Sequence, residues 1–356
     1  MNIERQGFDA AAPDSAFRFT GNWREFAPIA LTNLLLTIVT LGIYRFWARA
    51  RERRYLWSRT EFIDDTLEWT GTGREMFIGF VIVMAVLLPA ILFVQFGFQA
   101  MILRGLVAPA FLLMLGLYLG FFALVGLARY RALRYRLSRT YWHGIRGGGE
   151  PGGWGFAFSY LWKTLVGAFV IGLLVPWAWT SLWNERWNRM SFGPHPFEAS
   201  ANTEGLMGRW MLVLATPILA GLVVVATASQ GGSNPETVAL MGLATIFAIY
   251  AVWAIVGLGF FAAYARKAIG SLEMGGLQFA FTARSMDWLK LFLGHVGIVL
   301  ATLGIGFVFI SYRNWAFFIR HLEASGEVSL DTLTQSTSPV GADAEGLASA
   351  FDIGAI

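Results

Sequence analysis

The chain contains no cysteine, and few of its residues carry a charge. The absence of cysteine excludes disulfide bonds, a thiolate nucleophile and a Cys-ligated metal site. Charged residues make up 14% of the 356 residues, where about 25% is usual, and 56% are hydrophobic against a usual value of roughly 45–50%. So few charges cannot solvate so apolar a surface. The composition therefore excludes a disordered chain, a coiled coil and an ordinary soluble enzyme, and predicts an integral membrane protein.

Seven uncharged apolar segments follow one another along the chain. They are Phe26–Tyr44, Met76–Ala100, Leu106–Ala128, Thr164–Trp179, Trp210–Ala228, Val238–Ala265 and Leu291–Ile310. A helix needs roughly 20 apolar residues to cross about 30 Å of hydrocarbon. The second, third, fifth and sixth segments are long enough, whereas the others are shorter or are interrupted by polar residues or glycine. The N-terminal residues have no apolar run typical of a signal peptide, so insertion is expected to depend on these segments.

The three interrupted segments resemble one another. The first ends in TLGIYRFWARARERRYLW, the fourth contains IGLLVPWAWTSLWNERW and the seventh contains TLGIGFVFISYRNWAFF. Thr40 and Thr302 are 262 residues apart, which is twice 131, and the second and fifth segments share a proline, Pro89 and Pro217. With interrupted segments labelled A and full spans labelled B and C, the order A-B-C, A-B-C, A predicts an internal duplication.

The expected fold class is an all-α integral membrane protein, an internally duplicated helical bundle with short β-hairpin pieces outside the membrane. FRFTG (17–21) and TLEWTGTG (66–73) alternate in polarity and are expected to pair as a small hairpin, and the glycine-rich stretch 145–155 is interpreted as a linker. The predicted divisions are a cytoplasmic N-terminal segment (1–25), a first membrane repeat (26–148), a second membrane repeat (149–265), a third, partial repeat (266–321) and an acidic flexible C-terminal tail (322–356).

Two topologies remain open. If all seven segments cross the membrane, the lysines and arginines divide into 16 on one side and 11 on the other. If the A segments instead enter and leave on the same side, 26 of the 27 basic residues share one side and Arg104 alone lies on the other. Because cytoplasmic loops are enriched in Lys and Arg, the second topology is favoured: four spans, three re-entrant or interfacial segments and both termini in the cytoplasm. The seven-span topology places the N-terminus outside.

The polar residues contain no recognisable catalytic set. All 23 Asp and Glu residues lie outside the seven segments, and His295 is the one histidine within them. No histidine pair has a metal-ligand spacing, and no nucleophile–base–acid arrangement can be assigned. We therefore expect no enzymatic activity, no cofactor and no metal site. Nucleic-acid binding is not expected either, because the basic residues lie next to the bilayer.

Two basic clusters are the strongest positive signal. The first follows segment one, and the second lies in ARYRALRYRLSRTYWHGIRG from Ala128, which predicts a basic amphipathic helix at the level of the lipid headgroups. Arginines near an anionic leaflet attract headgroups. The residues expected to hold a headgroup or another anion are Arg49, Arg51, Arg53, Arg54, Arg131, Arg134, Arg136 and Arg139. Topology anchoring explains the same residues without a ligand.

The same stretches resemble a known family. Asn33–Thr60 (NLLLTIVTLGIYRFWARARERRYLWSRT), Arg136–Gly148, Pro176–Trp179 and the closing Phe351–Gly354 are similar to the YjgN-like family of bacterial inner-membrane proteins of unknown function. One departure is Phe46, where the family commonly has proline before Trp-Ala. The residues of the repeat-turn motif are Asn33, Gly42, Tyr44, Trp47, Pro176, Trp177 and Gly304. The resemblance implies a multi-pass helical protein of the bacterial inner membrane and supplies no reaction.

We interpret the chain as a multi-pass inner-membrane protein of unknown function that binds an amphipathic or anionic lipid-like ligand between the B and C helices and the A segments, without catalytic chemistry. The alternative is a transporter for a small or amphipathic solute that uses the pseudo-symmetric repeats. A third hypothesis is a membrane scaffold. The expected partners are membrane lipids, anionic ones first, and a protein recruited by the C-terminal tail.

Overall fold

The computed structural model describes residues 15–230, 235–326 and 334–338. Its helices are α1 (Trp23–Val39), α2 (Arg45–Ser58), α3 (Gly73–Leu92), α4 (Phe98–Leu103), α5 (Val107–Arg139), α6 (Trp154–Gly172), α7 (Val175–Trp187), α8 (Met207–Gln230), α9 (Pro235–Ile269), α10 (Ser285–Ala301) and α11 (Ile310–His321). Its strands are β1 (Phe17–Phe19), β2 (Thr60–Phe62), β3 (Asp65–Thr66), β4 (Glu68–Trp69), β5 (Thr140–Trp142), β6 (Ile145–Gly149), β7 (Met190–Phe192), β8 (His195–Ala199), β9 (Leu272–Met274), β10 (Leu277–Phe281) and β11 (Leu322–Gly326). A π turn over Phe93–Gly97 joins α3 to α4.

Four helical stretches within the described residues are long and apolar enough to cross a membrane. They are Gly73–Leu103, Val107–Arg139, Met207–Ala226 and Ala239–Ile269, and they overlap the four segments predicted as full spans. These helices bury little of their surface in the protein: Leu112 is 69% exposed and Phe247 is 73% exposed. Hydrocarbon is the environment in which so much exposed apolar surface is stable. The chain is therefore a multi-pass membrane protein.

The chain is mostly helical, as predicted, but an eight-stranded antiparallel sheet replaces the short separate hairpins that the sequence suggested. Its order is β4-β5-β6-β7-β8-β9-β10-β11, and a second sheet of order β1-β2-β3 lies beside it, joined to β4 through Leu67. The sheet curves as a half-barrel. The strands have two to five residues, so each shows at most two alternations of polarity. Neighbours such as β6 and β7 are separated in sequence by two helices, and local alternation does not identify such partners.

Two local predictions were also wrong. FRFTG does not pair with TLEWTGTG: Phe17 lies opposite Phe62 in β2, whereas β4 pairs with β5. The first five residues of the glycine-rich stretch form strand β6 instead of a linker. A Cβ atom at Gly147 would lie 2.7 Å from the Leu137 carbonyl oxygen. The glycines therefore let β6 approach neighbouring elements closely, which is a common role of glycine within a strand.

Each pair of helices begins at one strand and ends at the neighbouring strand of the same sheet. The A segments form the pairs α1–α2, α6–α7 and α10–α11, which lie between β1 and β2, β6 and β7, and β10 and β11. The long pairs lie between β4 and β5 and between β8 and β9. Both ends of every pair are thus at the sheet. The A segments enter and leave on one side, as in the four-span topology and not as in the seven-span topology.

The three A segments reverse direction at the same kind of turn. The left-handed residue pairs are Leu41 and Gly42, with φ of 51° and 89°, Ile171 and Gly172, with 59° and 80°, and Leu303 and Gly304, with 51° and 96°. Glycine occupies the second position each time, because a left-handed backbone is accessible to a residue without Cβ at no steric cost. Successive turns are 130 and 132 residues apart.

Side chains satisfy the backbone at these turns. The Thr40 hydroxyl donates to the Leu36 carbonyl oxygen at 2.7 Å and accepts from the Tyr44 N–H at 2.9 Å. Thr302 makes the equivalent two hydrogen bonds, each 2.6 Å long. At the second turn the Trp210 indole donates to the Gly172 carbonyl oxygen at 2.8 Å. Such partners are needed wherever a chain reverses without water, because hydrocarbon offers none.

The beginning of the predicted flexible tail is ordered on the sheet. Leu322–Gly326 form β11, which pairs along its whole length with β10. Farther on, Arg146 donates to the Ser336 carbonyl oxygen at 3.1 Å, and the Gln335 side chain donates to the Gly144 carbonyl oxygen at 3.0 Å. The rest of the predicted tail and the Phe351–Gly354 motif lie outside the described residues.

Asp64 in the small sheet pairs with His143 beside the eight-stranded sheet at 2.9 Å, and Pro194 lies in a turn of that larger sheet. This arrangement predicts that Asp64 and Pro194 lie on the same side of the membrane. The native chain has no cysteine, so single cysteines can be introduced at these positions and at Arg104. We expect an impermeant maleimide to label Asp64→Cys and Pro194→Cys in the same preparation, either spheroplasts or inverted vesicles, and Arg104→Cys in the other. Three spans would separate Asp64 from Pro194 in a seven-span chain, so labelling of the two in opposite preparations would contradict this topology.

The turn hydrogen bonds predict a stability effect at Thr40. Thr40→Val keeps the shape of the side chain but leaves the Tyr44 N–H without its acceptor, so we expect a loss of about 1–3 kcal/mol. Thr216→Val in α8 is the matched control, because the Thr216 hydroxyl donates only to the Leu212 carbonyl oxygen four residues earlier. Thermal unfolding in detergent measures both variants, and equal midpoints for Thr40→Val and Thr216→Val would refute this role.

Candidate functional site

An apolar cavity of about 260 Å³ lies between the sheet and the ends of four helices. Six strands each contribute a bulky side chain: Phe62, Trp142, Phe192, Phe197, Met274 and Phe279. Helices α5, α7, α9 and α11 all end here, and their last two turns contribute Leu133, Leu137, Trp183, Trp187, Ile269 and Phe318. The cavity therefore lies where the strands and the returning helices meet.

Aromatic rings hold the wall of the cavity in place. Trp142 is 2% exposed, and its indole donates to the Phe62 carbonyl oxygen at 3.0 Å. The ring of Phe17 stacks on that of Phe62 with centroids 4.4 Å apart, and the Phe197 and Phe279 rings are 6.4 Å apart. Alternate residues of a strand face the same side, so one aromatic residue per short strand is enough to build the wall.

Two guanidinium groups, Arg136 of α5 and Arg186 of α7, are the charged groups of the described lining. Arg186 lies over the Trp183 ring, 5.5 Å from its centroid. Burial, and then the positive charge of Arg129, lower the pKa of Arg186 to about 10. Arg186 therefore keeps its charge at pH 7, in surroundings that otherwise suit a hydrocarbon chain.

Three donors of α7 at this cavity have no acceptor. The Nε atom of Arg186 and the indole nitrogens of Trp183 and Trp187 are buried without a hydrogen-bond partner. The spacing i, i+3, i+4 places these three side chains on one face of the helix. Buried polar groups are normally paired. An acceptor placed against this face would satisfy three donors at once.

The acid next to Arg186 does not neutralise it. Glu185 forms ion pairs with Lys163 at 2.8 Å and with Arg189 at 3.1 Å. No ion pair to Arg186 occurs among residues 15–230, 235–326 and 334–338, and the lining described there includes no Asp, Glu or His. The same described ranges hold no group of three His, Asp or Glu side chains placed to bind a metal ion. The cavity thus combines positive charge, free donors and an apolar wall.

The first predicted basic cluster lies outside this cavity, on α2. Arg51 donates to the Asn33 side chain at 3.2 Å and to the Tyr44 hydroxyl at 3.3 Å. The Arg53 guanidinium lies 4.9 Å from the centroid of the Trp69 ring, Arg49 is half-buried and Arg54 is exposed. The contacts of Arg51 and Arg53 join the two helices of the first A segment to each other and to the sheet.

A half-buried carboxyl lies beside this first cluster. Glu52 accepts a hydrogen bond from the Ser311 hydroxyl at 3.1 Å, which links α2 to α11. Burial raises the pKa of Glu52, and the hydrogen bonds from Ser311 and Asn33, with the charges of Arg49 and Arg53, oppose that rise. Glu52 thereby connects the first and third A segments.

The second predicted cluster is not a separate amphipathic helix, because it continues α5 to Arg139. Arg134 is 6% exposed and donates to the Gly149 carbonyl oxygen at 3.2 Å, and Arg131 donates to the Gly152 carbonyl oxygen at 3.3 Å. Arg139 forms an ion pair with Glu75 at 2.6 Å. Of the eight arginines predicted to hold an anion, Arg136 alone lines the cavity.

The repeat-turn motif is distributed over three helical pairs and forms no common site. Asn33 is buried and donates to the Ala48 carbonyl oxygen at 3.2 Å, while Trp47 is 36% exposed and stacks on Tyr44. Pro176 is in the first turn of α7, and the ring centroids of Trp177 and Trp162 are 5.7 Å apart. Gly42 and Gly304 occupy the left-handed turns. These residues shape the A segments.

Arg186 was missed from the sequence, because one arginine between tryptophans draws less attention than a run of arginines. The available signal was its spacing. Trp183, Arg186 and Trp187 share a helix face, and a guanidinium is attracted to the face of a tryptophan ring.

Comparison with known proteins bears out the resemblance seen in the motifs. Residues 14–350 match the family described as "Bacterial protein of unknown function (DUF898)". Inner membrane protein YjgN of Salmonella typhimurium (strain LT2) is 32% identical over 79 residues, which are 22% of this chain and 20% of the relative. YjgN of Escherichia coli K12 is 36% identical over 66 residues, which are 18% of this chain and 17% of the relative. YjgN of Escherichia coli O157:H7 is 31% identical over 134 residues, which are 38% of this chain and 31% of the relative.

The chain thus aligns with less than a third of the length of each of these relatives. No solved structure matches it. The family match extends over nearly the whole chain, and the relatives are inner membrane proteins. The chain belongs to the DUF898 family of bacterial proteins of unknown function.

Proposed function

We propose that this protein binds an anionic amphiphile with one alkyl or acyl chain in the cavity between the sheet and the helix ends. The main support for this proposal is one face of α7, where Arg186, Trp183 and Trp187 have buried hydrogen-bond donors without an acceptor. The oxygens of a carboxylate or phosphate would accept from these donors, and the aromatic wall would contact the chain.

Charge and size both favour this class of ligand. A buried, unpaired cation is strongly destabilising, and an anion that pairs with it removes that penalty. The cavity of about 260 Å³ lies just below the range of roughly 300–1,000 Å³ typical of ligand pockets. That volume suits a single short or medium chain better than a two-chain phospholipid. The proposal requires no catalytic step and no cofactor.

The proposal changes the site predicted from the sequence and retains one of its residues. Arg136 remains, and Arg186 replaces the arginines whose contacts support the fold.

We further propose that the sheet faces the cytoplasm, because 26 of the 27 basic residues then lie on the cytoplasmic side. Labelling of Arg104→Cys in spheroplasts, with Asp64→Cys and Pro194→Cys protected, would support this orientation, and the reverse would contradict it.

The proposal includes an internal duplication. The helix-reversing turns recur after 130 and 132 residues, and the strand turns with positive φ recur after the same intervals, from Ile63 to Gly193 and from His143 to Gly275. Both ends of every helical pair lie at paired strands of one of the two adjacent sheets, so the units are parallel and not inverted. The inverted symmetry that many alternating-access transporters use is therefore missing, which is why we rank binding above transport.

We expect Arg186→Gln to weaken binding of decanoate at least about tenfold, because a hydrogen bond to a charged group contributes about 1.5–3 kcal/mol. The measurement is titration calorimetry of the full chain in nanodiscs. Arg320→Gln is the matched control: Arg320 is also the penultimate residue of its helix, but it is exposed and outside the cavity. Trp187→Phe, which removes one donor and keeps an aromatic ring, should weaken binding less.

The methyl ester of decanoic acid tests the role of the charge. It carries the same chain without an anion, so it should bind the native protein at least about tenfold more weakly than decanoate. Equal affinity of the acid and the ester, or equal affinity of Arg186→Gln and the native protein for decanoate, would overturn the proposal.

A stability measurement separates a binding role of Arg186 from a structural one. Replacing a buried charge by an apolar residue of similar size is often neutral or stabilising. In protein freed of ligand, we expect Arg186→Met to unfold at the same temperature as the native chain or a higher one, whereas added decanoate should stabilise only the native chain. A large loss of stability in ligand-free Arg186→Met would instead assign Arg186 to the structure.

A further inference from the structure

An open groove of about 750 Å³ lies where α8, α9 and α10 meet. It shares no lining residue with the cavity. Arg209 comes from the first turn of α8, Arg266 from the last turn of α9, and Arg284 directly precedes α10. These helix ends lie at the sheet, so the groove lies at the level where the membrane-spanning helices leave the hydrocarbon.

The groove is rich in positive charge. None of its three arginines forms an ion pair within the part of the chain that the structure describes. Arg266 donates to the Ala283 carbonyl oxygen at 2.7 Å, and Asp287, in the first turn of α10, accepts from the Arg284 backbone N–H at 2.9 Å. Three guanidiniums in one groove repel one another, and a bound anion with several oxygens removes that repulsion.

An apolar surface continues from the cationic end of the groove. Leu212, Val256 and Phe260 line the groove beside the arginines. Farther along the same two helices, Leu219 is 59% exposed and Val252 is 52% exposed. A ligand that matches this arrangement of charge and apolar surface has an anionic head at the sheet and hydrocarbon chains along α8 and α9.

The first half of the chain differs at the corresponding place. Arg139, at the end of α5, is paired with Glu75 in the first turn of α3, and the Tyr135 hydroxyl donates to the same carboxylate at 2.9 Å. The first turn of α8 contains no acid. The position directly before α6 is Gly153, whereas Arg284 directly precedes α10. The second half therefore keeps a positive charge that the first half neutralises.

We propose that the groove between α8, α9 and α10 binds an anionic glycerophospholipid, with its phosphate at Arg209, Arg266 and Arg284 and its acyl chains along α8 and α9. This site is separate from the cavity and does not depend on the function proposed for it. The ligand is a two-chain lipid held at the protein surface, where the cavity would enclose a single chain.

Lipid retention tests the groove directly. The full chain is reconstituted in vesicles of equal parts phosphatidylglycerol and phosphatidylcholine, extracted in mild detergent, and its bound lipid is measured by mass spectrometry. We expect phosphatidylglycerol to be enriched on the native protein. The double variant Arg209→Gln, Arg284→Gln should lose that enrichment by about tenfold, since each arginine near the surface adds attraction for an anionic lipid.

Matched variants keep the test decisive. Arg74→Gln removes an exposed arginine from the first turn of α3 and should leave the enrichment unchanged. Arg209→Lys with Arg284→Lys keeps the charges and should retain at least half of it. Decanoate binding should be unchanged in the glutamine double variant, which separates this site from the cavity.

Three results would overturn the proposal. These are equal retention of the two lipids by the native protein, full enrichment in the glutamine double variant, or displacement of phosphatidylglycerol by inorganic phosphate, which would indicate a site for a free anion.

Discussion

Strand pairing at the two ends of every helical pair is the constraint on which the rest of the structure depends. Because β6 pairs with β7 and β10 with β11, the helices between them must return to the place where they began. The same pairing directs the last turns of α5, α7, α9 and α11 toward one point, which creates the cavity. A slip of one residue in a strand would move every side chain to the other face. Trp142, whose indole bonds the Phe62 carbonyl oxygen, would then leave the cavity wall.

The membrane adds a second constraint, because hydrocarbon supplies no hydrogen bonds to the backbone. Helix α1 has 17 residues and is about 25 Å long, which is less than the roughly 30 Å of a bilayer core. The chain therefore reverses before it reaches the far side, and Thr40 and Gly42 make that reversal possible. Threonine and glycine, which weaken these segments as spans, are the residues that a buried reversal requires.

The length and composition of the segments predicted the four spans, the three exceptional segments and their shared turn, because these features are local in sequence. The sheet could not be predicted in the same way, since β4 has two residues and its partner β5 lies beyond two membrane spans. The functional site was missed for a related reason. A run of arginines is visible in a sequence, but whether an arginine is neutralised depends on distant contacts, such as that of Arg139 with Glu75.

The absence of an acid partner within the described residues, and not the local density of charge, marks Arg186 as a binding residue. In the first basic cluster, Arg51 and Arg53 have partners that join helices or cover an aromatic ring. Arg186 also lies over an aromatic ring, but it lines the cavity, and the acid next to it in sequence, Glu185, is paired with Lys163 and Arg189 instead. A buried cation without a counter-ion is unfavourable for folding, so its presence requires a separate explanation. An anionic ligand supplies one and also accounts for the unpaired indole donors beside it, which no argument from stability explains.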